Sequence, residues 1–336
     1  MYIKQKLVTP LILTIPDDTA VFSILNPEEK ISKKIIMENY INFYAYREPT
    51  YKTMVFRFEN FMNYENINGL DHCFIPMSLL KKYYGIEIIL QLIREGYVIT
   101  LPVMRKCFEF YGDNAKGTHI MFIYGMDTVR KVLVCRDFDA HKFVDFEVSF
   151  EAVEKSMLIY ERSYTVEEEG MLAFKVSKTV SPEIDYAKVF FEFKKLMQEI
   201  FSYNASYGVG AINAYINDIN IQPTRYLDTN AWYHFANYLR EATKLIPIRF
   251  NILKEDLLQK EVNEYNIKVI DKLNNDITNL FSICSKALIR GTELTVPKVK
   301  EYAEYLYICK EDFKAAAELF CSIILSYSNQ DICDKF

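Results

Sequence analysis

Two residues in the middle of the chain, His119 and Asp137, have the types and spacing of a base and the carboxylate that orients it. His119 opens an apolar segment after Gly117-Thr118, and Asp137 ends the next apolar segment, eighteen residues later. Both segments are typical of β-strands, and a turn at 127–130 would make them antiparallel neighbours. We therefore expect the two side chains to meet, as general-base catalysis requires. The alternative is a structural edge histidine and a turn aspartate.

The other histidines and the cysteines give no comparably placed pair. His72 and Cys73 are adjacent, but sequence neighbours seldom point the same way, so Cys73 is a weak candidate for a nucleophile. His141 and His234 have the patterns of a surface turn and a helix face. The seven cysteines include no C-x-x-C pair, and the ligand spacings of a structural metal site are missing. We expect no metal and no cofactor.

Composition limits the partners of the chain. It has 336 residues, of which half are hydrophobic, and a formal net charge of −5. An acidic chain has no basic field to attract nucleic acid or an anionic membrane. The sequence has no apolar run of 18 residues, and the first apolar stretch, 7–15, is broken by Pro10 without a signal-peptide cleavage site. We expect a cytoplasmic protein without nucleic-acid or membrane partners.

The pattern around the histidine predicts an antiparallel sheet. Short apolar runs separated by tight turns favour consecutive strands rather than βαβ units. Ser149 is a suitable N-cap for a helix at 150–158. The predicted strands are 97–101, 119–124, 131–135 and 142–148, and 172–176 is expected to return to the sheet edge.

Helical patterns occupy the rest of the chain and dominate after Ser181-Pro182. The first half contains predicted helices within 17–48, broken at Asn26-Pro27, and at 76–84 and 86–95, with Gly85 as a C-cap between them. The second half has long helical patterns punctuated by Pro223, Pro247, Gly291 and Pro297. They cover 183–203, 208–219, 229–246, 251–290 and 297–327. This predicts an α+β fold with a first domain at 1–178 and an all-helical domain at 179–336.

Several of these stretches together resemble a known family, the papain-like fold of bacteriocin-leader peptidases. The resemblance is to the butirosin biosynthesis protein H type, whose relatives include the cysteine-protease homologue that forms amide bonds in closthioamide assembly. It extends over most of the chain and implies a papain-like domain at 1–178. The similar stretches are Gly96-Tyr97-Val98, 119–127 with His119 at its start, 132–138 with Asp137 near its end, 148–151 at a helix start, and Tyr207-Gly208.

The resemblance also identifies what this chain lacks. In that family a cysteine stands at the N-terminus of the first long helix, where the helix dipole and a histidine stabilise its thiolate. The matching position here is Thr19, with Ala20 next to it, and Ile120 replaces an acidic residue of the family. The chain would then be a natural pseudoenzyme, an engineered variant with Thr19 or Ala20 in place of the cysteine, or an enzyme in which Thr19 attacks.

The activity that the resemblance implies is acyl transfer in a specialised-metabolite pathway. An acyl group would arrive as a thioester on an acyl or peptidyl carrier protein and pass to a small amine, forming an amide bond. His119 would be the general base, Asp137 its orienting carboxylate, and Thr19 the nucleophile slot. Two alternatives are a non-catalytic scaffold that binds a carrier protein and a peptidase that trims a leader or a pathway intermediate.

Overall fold

The computed structural model describes most of the chain, and the two parts into which it divides are considered separately. The described residues are 1–13, 16–47, 54–59, 66–112, 115–139, 142–161, 169–201, 205–258, 264–291 and 293–327. The first compact unit comprises 1–27 and 68–180, and the second comprises 28–67 and 181–336.

The elements are numbered in chain order. The strands are β1 (Tyr2–Lys4), β2 (Phe43–Tyr46), β3 (Val55–Phe58), β4 (Leu70–Pro76), β5 (Val98–Met104), β6 (Thr118–Asp127), β7 (Val132–Asp139), β8 (Lys142–Ser149), β9 (Gly170–Val176), β10 (Ile200–Phe201) and β11 (Ala205–Tyr207). The helices are α1 (Pro16–Phe22), α2 (Lys30–Glu38), α3 (Met77–Lys82), α4 (Gly85–Arg94), α5 (Phe150–Leu158), α6 (Tyr186–Met197), α7 (Val209–Ile221), α8 (Thr229–Leu253), α9 (Glu264–Ile289) and α10 (Val296–Tyr327).

The first unit is built on an antiparallel sheet with the strand order β4-β9-β5-β6-β7-β8, and β1 pairs with the second half of β6. Side chains alternate between the two faces of each strand. On one face, buried residues of β5 and β6 such as Leu101 and Met121 form a core with residues of α3, α4 and α5, among them Leu80, Ile89 and Val153. This core fixes the face on which His119 lies, as described below.

The second unit contains a small antiparallel sheet as well as helices. The strand order of this sheet is β10-β11-β2-β3. The helices of the unit are α2 and α6 to α10. No described helix meets the length and apolarity that a membrane-spanning helix requires.

The fold confirms the coarse prediction and changes the domain boundaries. Antiparallel sheets followed by C-terminal helices agree with the α+β class. The predicted division at 178/179 lies close to the observed change of unit after Val180, but 28–67 belong to the second unit rather than the first. The physical reason is that β2 pairs with β11 and α2 packs on α6 and α8. The sequence predicted an all-helical second domain, and this prediction is wrong, because the second unit also contains a four-stranded sheet.

Some predicted helices and strands agree with the structure, and others differ from it. The helix 150–158 and its cap are confirmed, since the Ser149 hydroxyl accepts a hydrogen bond from the Ala152 N–H. The strand 172–176 corresponds to β9, which lies inside the sheet because β4, missed from sequence, pairs outside it. The residues after Tyr40 within the predicted helical range 17–48 form β2 instead.

Candidate active site

The two residues that the sequence paired do meet in the structure. His119 is the second residue of β6, and Asp137 lies near the end of β7, the antiparallel neighbour of β6. The Nε2 atom of His119 lies 2.7 Å from Oδ2 of Asp137. The predicted contact is confirmed.

Alternation along the strands places both side chains on the face of the sheet that α3, α4 and α5 cover. His119 is two residues from Met121, and Asp137 is two residues from Cys135; both of these neighbours are core residues on that face. The pair therefore lies at the end of a buried apolar layer. The His119 side chain retains 21% of its exposure and that of Asp137 only 7%, so the imidazole is the more accessible partner.

Asp137 is surrounded by hydrogen-bond donors. Besides His119, its Oδ2 accepts from the Tyr111 hydroxyl at 2.6 Å, and its Oδ1 accepts from the Phe138 N–H at 2.7 Å. Burial, and then the adjacent Asp137 carboxylate, raise the pKa of Tyr111 above its usual value. Tyr111 is therefore a neutral donor. Because Asp137 accepts from Nε2, the neutral imidazole has its lone pair on Nδ1.

Arg105 faces that second ring nitrogen. Its Nη2 lies 3.2 Å from Nδ1 of His119, and its guanidinium carbon lies 5.9 Å from the centre of the Tyr111 ring. The Tyr111 and His119 rings meet edge to face at 5.3 Å between centroids. The site is thus a chain of contacts from Asp137 through His119 to Arg105, with Tyr111 against all three.

Arg105 and Tyr111 were not predicted from the sequence, because the predicted strand 97–101 ends three residues before the observed end of β5. β5 continues to Met104, which pairs with Thr118, the residue before His119. The backbone directly after Met104 therefore lies beside the start of β6, and the Arg105 N–H donates a hydrogen bond to the carbonyl of Gly117 at 3.1 Å. The signal that was available is the apolar run 98–104, which extends past the predicted end at 101.

The structure gives the Thr19 slot no support. Thr19 is fully buried and lies inside α1, which begins three residues earlier at Pro16. α1 packs near β5 and β6, and its residues Ala20 to Phe22 are fully buried. In the described part of the chain, none of these apolar residues contributes to the layer on the His119 face. The helix that carries Thr19 therefore does not cover the face from which the imidazole projects.

Cys73 is also remote from His119. The pairings Cys73 with Ala173, Ala173 with Ile99, and Ile99 with Ile123 place it three strands across from β6 and four residues along from His119. These steps amount to roughly 14 Å across and 13 Å along the sheet. Cys73 therefore does not take the nucleophile role in this fold.

The remaining candidates have structural surroundings. His72 and Cys73 alternate between opposite faces of β4, as expected of sequence neighbours, and His234 is exposed on α8. His141 lies outside the described residues. Cys135 is near the site but fully buried; its thiol donates to the Met121 sulfur at 3.6 Å, and burial raises its pKa well above the usual value. A thiol of this kind is a poor nucleophile.

The chemistry of the described site is that of an oriented imidazole beside a cation. No group of three or more metal-ligating side chains occurs among the described residues. Comparison with protein-family models and with curated protein sequences gives no match to this chain.

Proposed function

We propose that this chain transfers an acyl group from a carrier-protein thioester to an amine, with His119 as the general base. The observation that carries the proposal is the 2.7 Å contact between His119 Nε2 and Asp137 Oδ2. It leaves Nδ1 as the basic nitrogen of a partly exposed ring, and a buried carboxylate holds that ring in one orientation. The substrate class comes from the resemblance to the butirosin biosynthesis protein H type.

The mechanism that fits these residues is direct attack by the acceptor. The amine nitrogen attacks the thioester carbonyl while Nδ1 of His119 takes a proton from it. A C–N bond forms, the C–S bond breaks, and the proton passes from the imidazolium to the departing thiolate of the carrier. Asp137 stabilises the imidazolium while it exists. No acyl-enzyme intermediate is required, which agrees with the position of Thr19 in α1.

A suitable experiment follows both protein mass and product. The protein is incubated with a panel of acyl N-acetylcysteamine thioesters, which mimic the end of a carrier arm, and with small primary amines. Direct transfer predicts amide formation with no mass added to the protein. An acyl adduct on Thr19 would instead establish the covalent route.

A second candidate function is binding without catalysis, and the Arg105 contact favours it. In the resting geometry, the nitrogen that would act as base already accepts a hydrogen bond from Arg105. A protein of this kind would hold an acyl carrier and leave the transfer to another enzyme. In the same experiment, carrier binding without amide formation across the thioester panel would favour this candidate.

A further inference from the structure

The guanidinium of Arg105 has a donor that the protein does not use. Its Nε is buried and has no hydrogen-bond partner in the described part of the chain. Within the described residues, no carboxylate lies within ion-pair distance of Arg105. In the described part of the chain, its side chain forms a hydrogen bond with the neutral acceptor Nδ1 of His119.

Leaving a buried donor unpaired is costly. An unsatisfied buried polar group typically destabilises a fold, and more so when it belongs to a charged side chain. Asp137, the buried carboxylate of the site, already accepts from His119, Tyr111 and the Phe138 N–H. The positive charge of Arg105 is therefore available to a group from outside the protein.

We propose that Arg105 is the receptor for an oxyanion of the ligand and that capturing this anion releases Nδ1 of His119. The inference rests on the proposed function, because the anion is assigned to the acyl donor or acceptor. A planar guanidinium suits two oxygens of one carboxylate or phosphate group. When Nε and Nη2 turn to such a group, Nη2 leaves Nδ1, and the imidazole becomes free to accept a proton.

Anion binding at Arg105 changes the charge around His119. With the anion bound, Arg105 is neutralised and Asp137 still carries its carboxylate beside His119. A positive imidazolium is then favoured more than in the free protein. Anion binding should be accompanied by proton uptake, so the affinity for an anion of constant charge should decrease as the pH is raised.

The test uses two small anions and the histidine ring signals of the intact chain. Sulfate stands for the tetrahedral phosphodiester of a carrier arm and stays fully ionised from pH 6 to 8, whereas acetate stands for a substrate carboxylate. The chain has four histidines, so His119→Gln assigns the His119 signal in a proton–nitrogen NMR spectrum. We expect at least one of the anions to shift this signal saturably, with tighter binding at pH 6 than at pH 8.

Variants of arginine identify the receptor. Arg105→Gln should weaken anion binding about tenfold or more. Arg105→Lys retains the positive charge but not the planar guanidinium that pairs with two oxygens, so it should weaken anion binding less. The matched control is Arg94→Gln, on the exposed surface of α4 in the same unit, which should leave the titration unchanged. Thermal melting checks that each variant is folded.

The outcomes separate this inference from the proposed function. A saturable response to sulfate alone identifies a phosphate-like group, and a response to acetate alone identifies a carboxylate. If neither anion shifts the His119 signal, or if folded Arg105→Gln binds as the wild type does, the anion receptor is wrong even where amide formation is observed. Binding that depends on Arg105 in a protein without transferase activity would leave the receptor standing and remove only the catalytic proposal.

Discussion

Asp137 accepts hydrogen bonds from three different directions while its side chain is almost fully buried. The donors are a ring nitrogen, a phenol and a backbone amide, so the carboxylate cannot turn away from His119 without losing two other contacts. Hydrogen bonds to a charged acceptor contribute about 1.5–3 kcal/mol each. The orientation of His119 is therefore part of the folded structure and does not depend on a ligand.

A cysteine placed at position 19 tests the nucleophile slot that the resemblance assigned to Thr19. Thr19→Cys should give an unreactive thiol, because position 19 is fully buried and burial disfavours the thiolate. Ala20→Cys should behave alike. The measurement is the rate of iodoacetamide labelling against pH in the folded variants. A thiol at either position that labels fully below pH 7, and does so only when His119 is present, would restore the covalent mechanism.

How far the site could be predicted depends on the kind of contact. His119 and Asp137 were predictable because a short turn joins their strands, so that local patterns fix their proximity. Arg105 and Tyr111 were not, because they lie in two single 3-10 helical turns after β5, Arg105–Cys107 and Glu109–Tyr111. Their positions depend on the strand pairing of β5 with β6, and single-sequence patterns locate strand ends poorly.

One buried arginine of α8, Arg249, forms hydrogen bonds with the backbone at the end of α2. Arg249 is 1% exposed, and its Nε donates to the carbonyl of Ile36 at 2.9 Å. Its Nη2 donates to the carbonyls of Asn39 and Tyr40 at 2.7 and 2.9 Å. These carbonyls lie in the last turn of α2 and directly after it, where a helix leaves its acceptors without intrahelical partners. A cation there also complements the helix dipole.

We predict that Arg249→Met, which keeps an unbranched apolar stem but removes the guanidinium, destabilises the protein by about 3 kcal/mol or more, since it leaves three buried carbonyls without this donor. Urea denaturation followed by circular dichroism measures the loss. Arg290→Met is the control, because Arg290 is exposed directly after α9 and its replacement should change the stability by less than about 0.5 kcal/mol. Equal effects of the two substitutions would contradict the assigned role of Arg249.

Two breaker residues show why helix limits were only partly predictable. Pro247 was expected to end a helix, but α8 continues through it to Leu253 because packing outweighs the local preference. Gly85 was expected to be a left-handed C-cap, yet Tyr84 adopts that conformation with a φ of 46°. Gly85 instead starts α4, where a Cβ would lie 2.8 Å from the carbonyl oxygen of Leu80. Close approach of the backbone, which is not visible in sequence, accounts for the glycine.

In the whole molecule, the division into units follows contacts between distant parts of the sequence. Ala45 in β2 pairs with Ser206 in β11, although most of the first unit lies between them in the chain. Local periodicity assigned residues near Ala45 to a helix and could not indicate a strand partner so far away. The change after Val180 was predictable, in contrast, because composition and periodicity change there together.

The reactivity of the cysteine thiols should reflect their burial in the two units. Cys73 and Cys107 are partly exposed, whereas burial raises the pKa of Cys284 and of Cys309 to about 12, and that of Cys321 to about 11. At pH 9 the ionised fraction is therefore on the order of 1% for Cys321 and on the order of 0.1% for Cys284 and Cys309. We expect iodoacetamide at pH 7.5 to 9 to modify Cys73 and Cys107 first, and the buried thiols only after unfolding.

Peptide mass spectrometry after labelling locates the modified cysteines. The control is the same reaction in urea, where all of these thiols should react at similar rates. Native labelling of Cys284, Cys309 or Cys321 as fast as that of Cys107 would contradict the described packing of the second unit.

Asp137 holds the neutral imidazole of His119 with its proton on Nε2 and its lone pair on Nδ1. The most direct measurement is the pair of ring nitrogen signals of His119 in a ¹⁵N NMR spectrum at a pH where the ring is neutral, assigned with His119→Gln. We predict a protonated Nε2 and an unprotonated Nδ1 in the wild type, and a loss of this single form in Asp137→Asn, in which the amide can donate as well as accept. A ring with its proton on Nδ1 in the wild type would contradict both the Asp137 contact and the role of Nδ1 as the base.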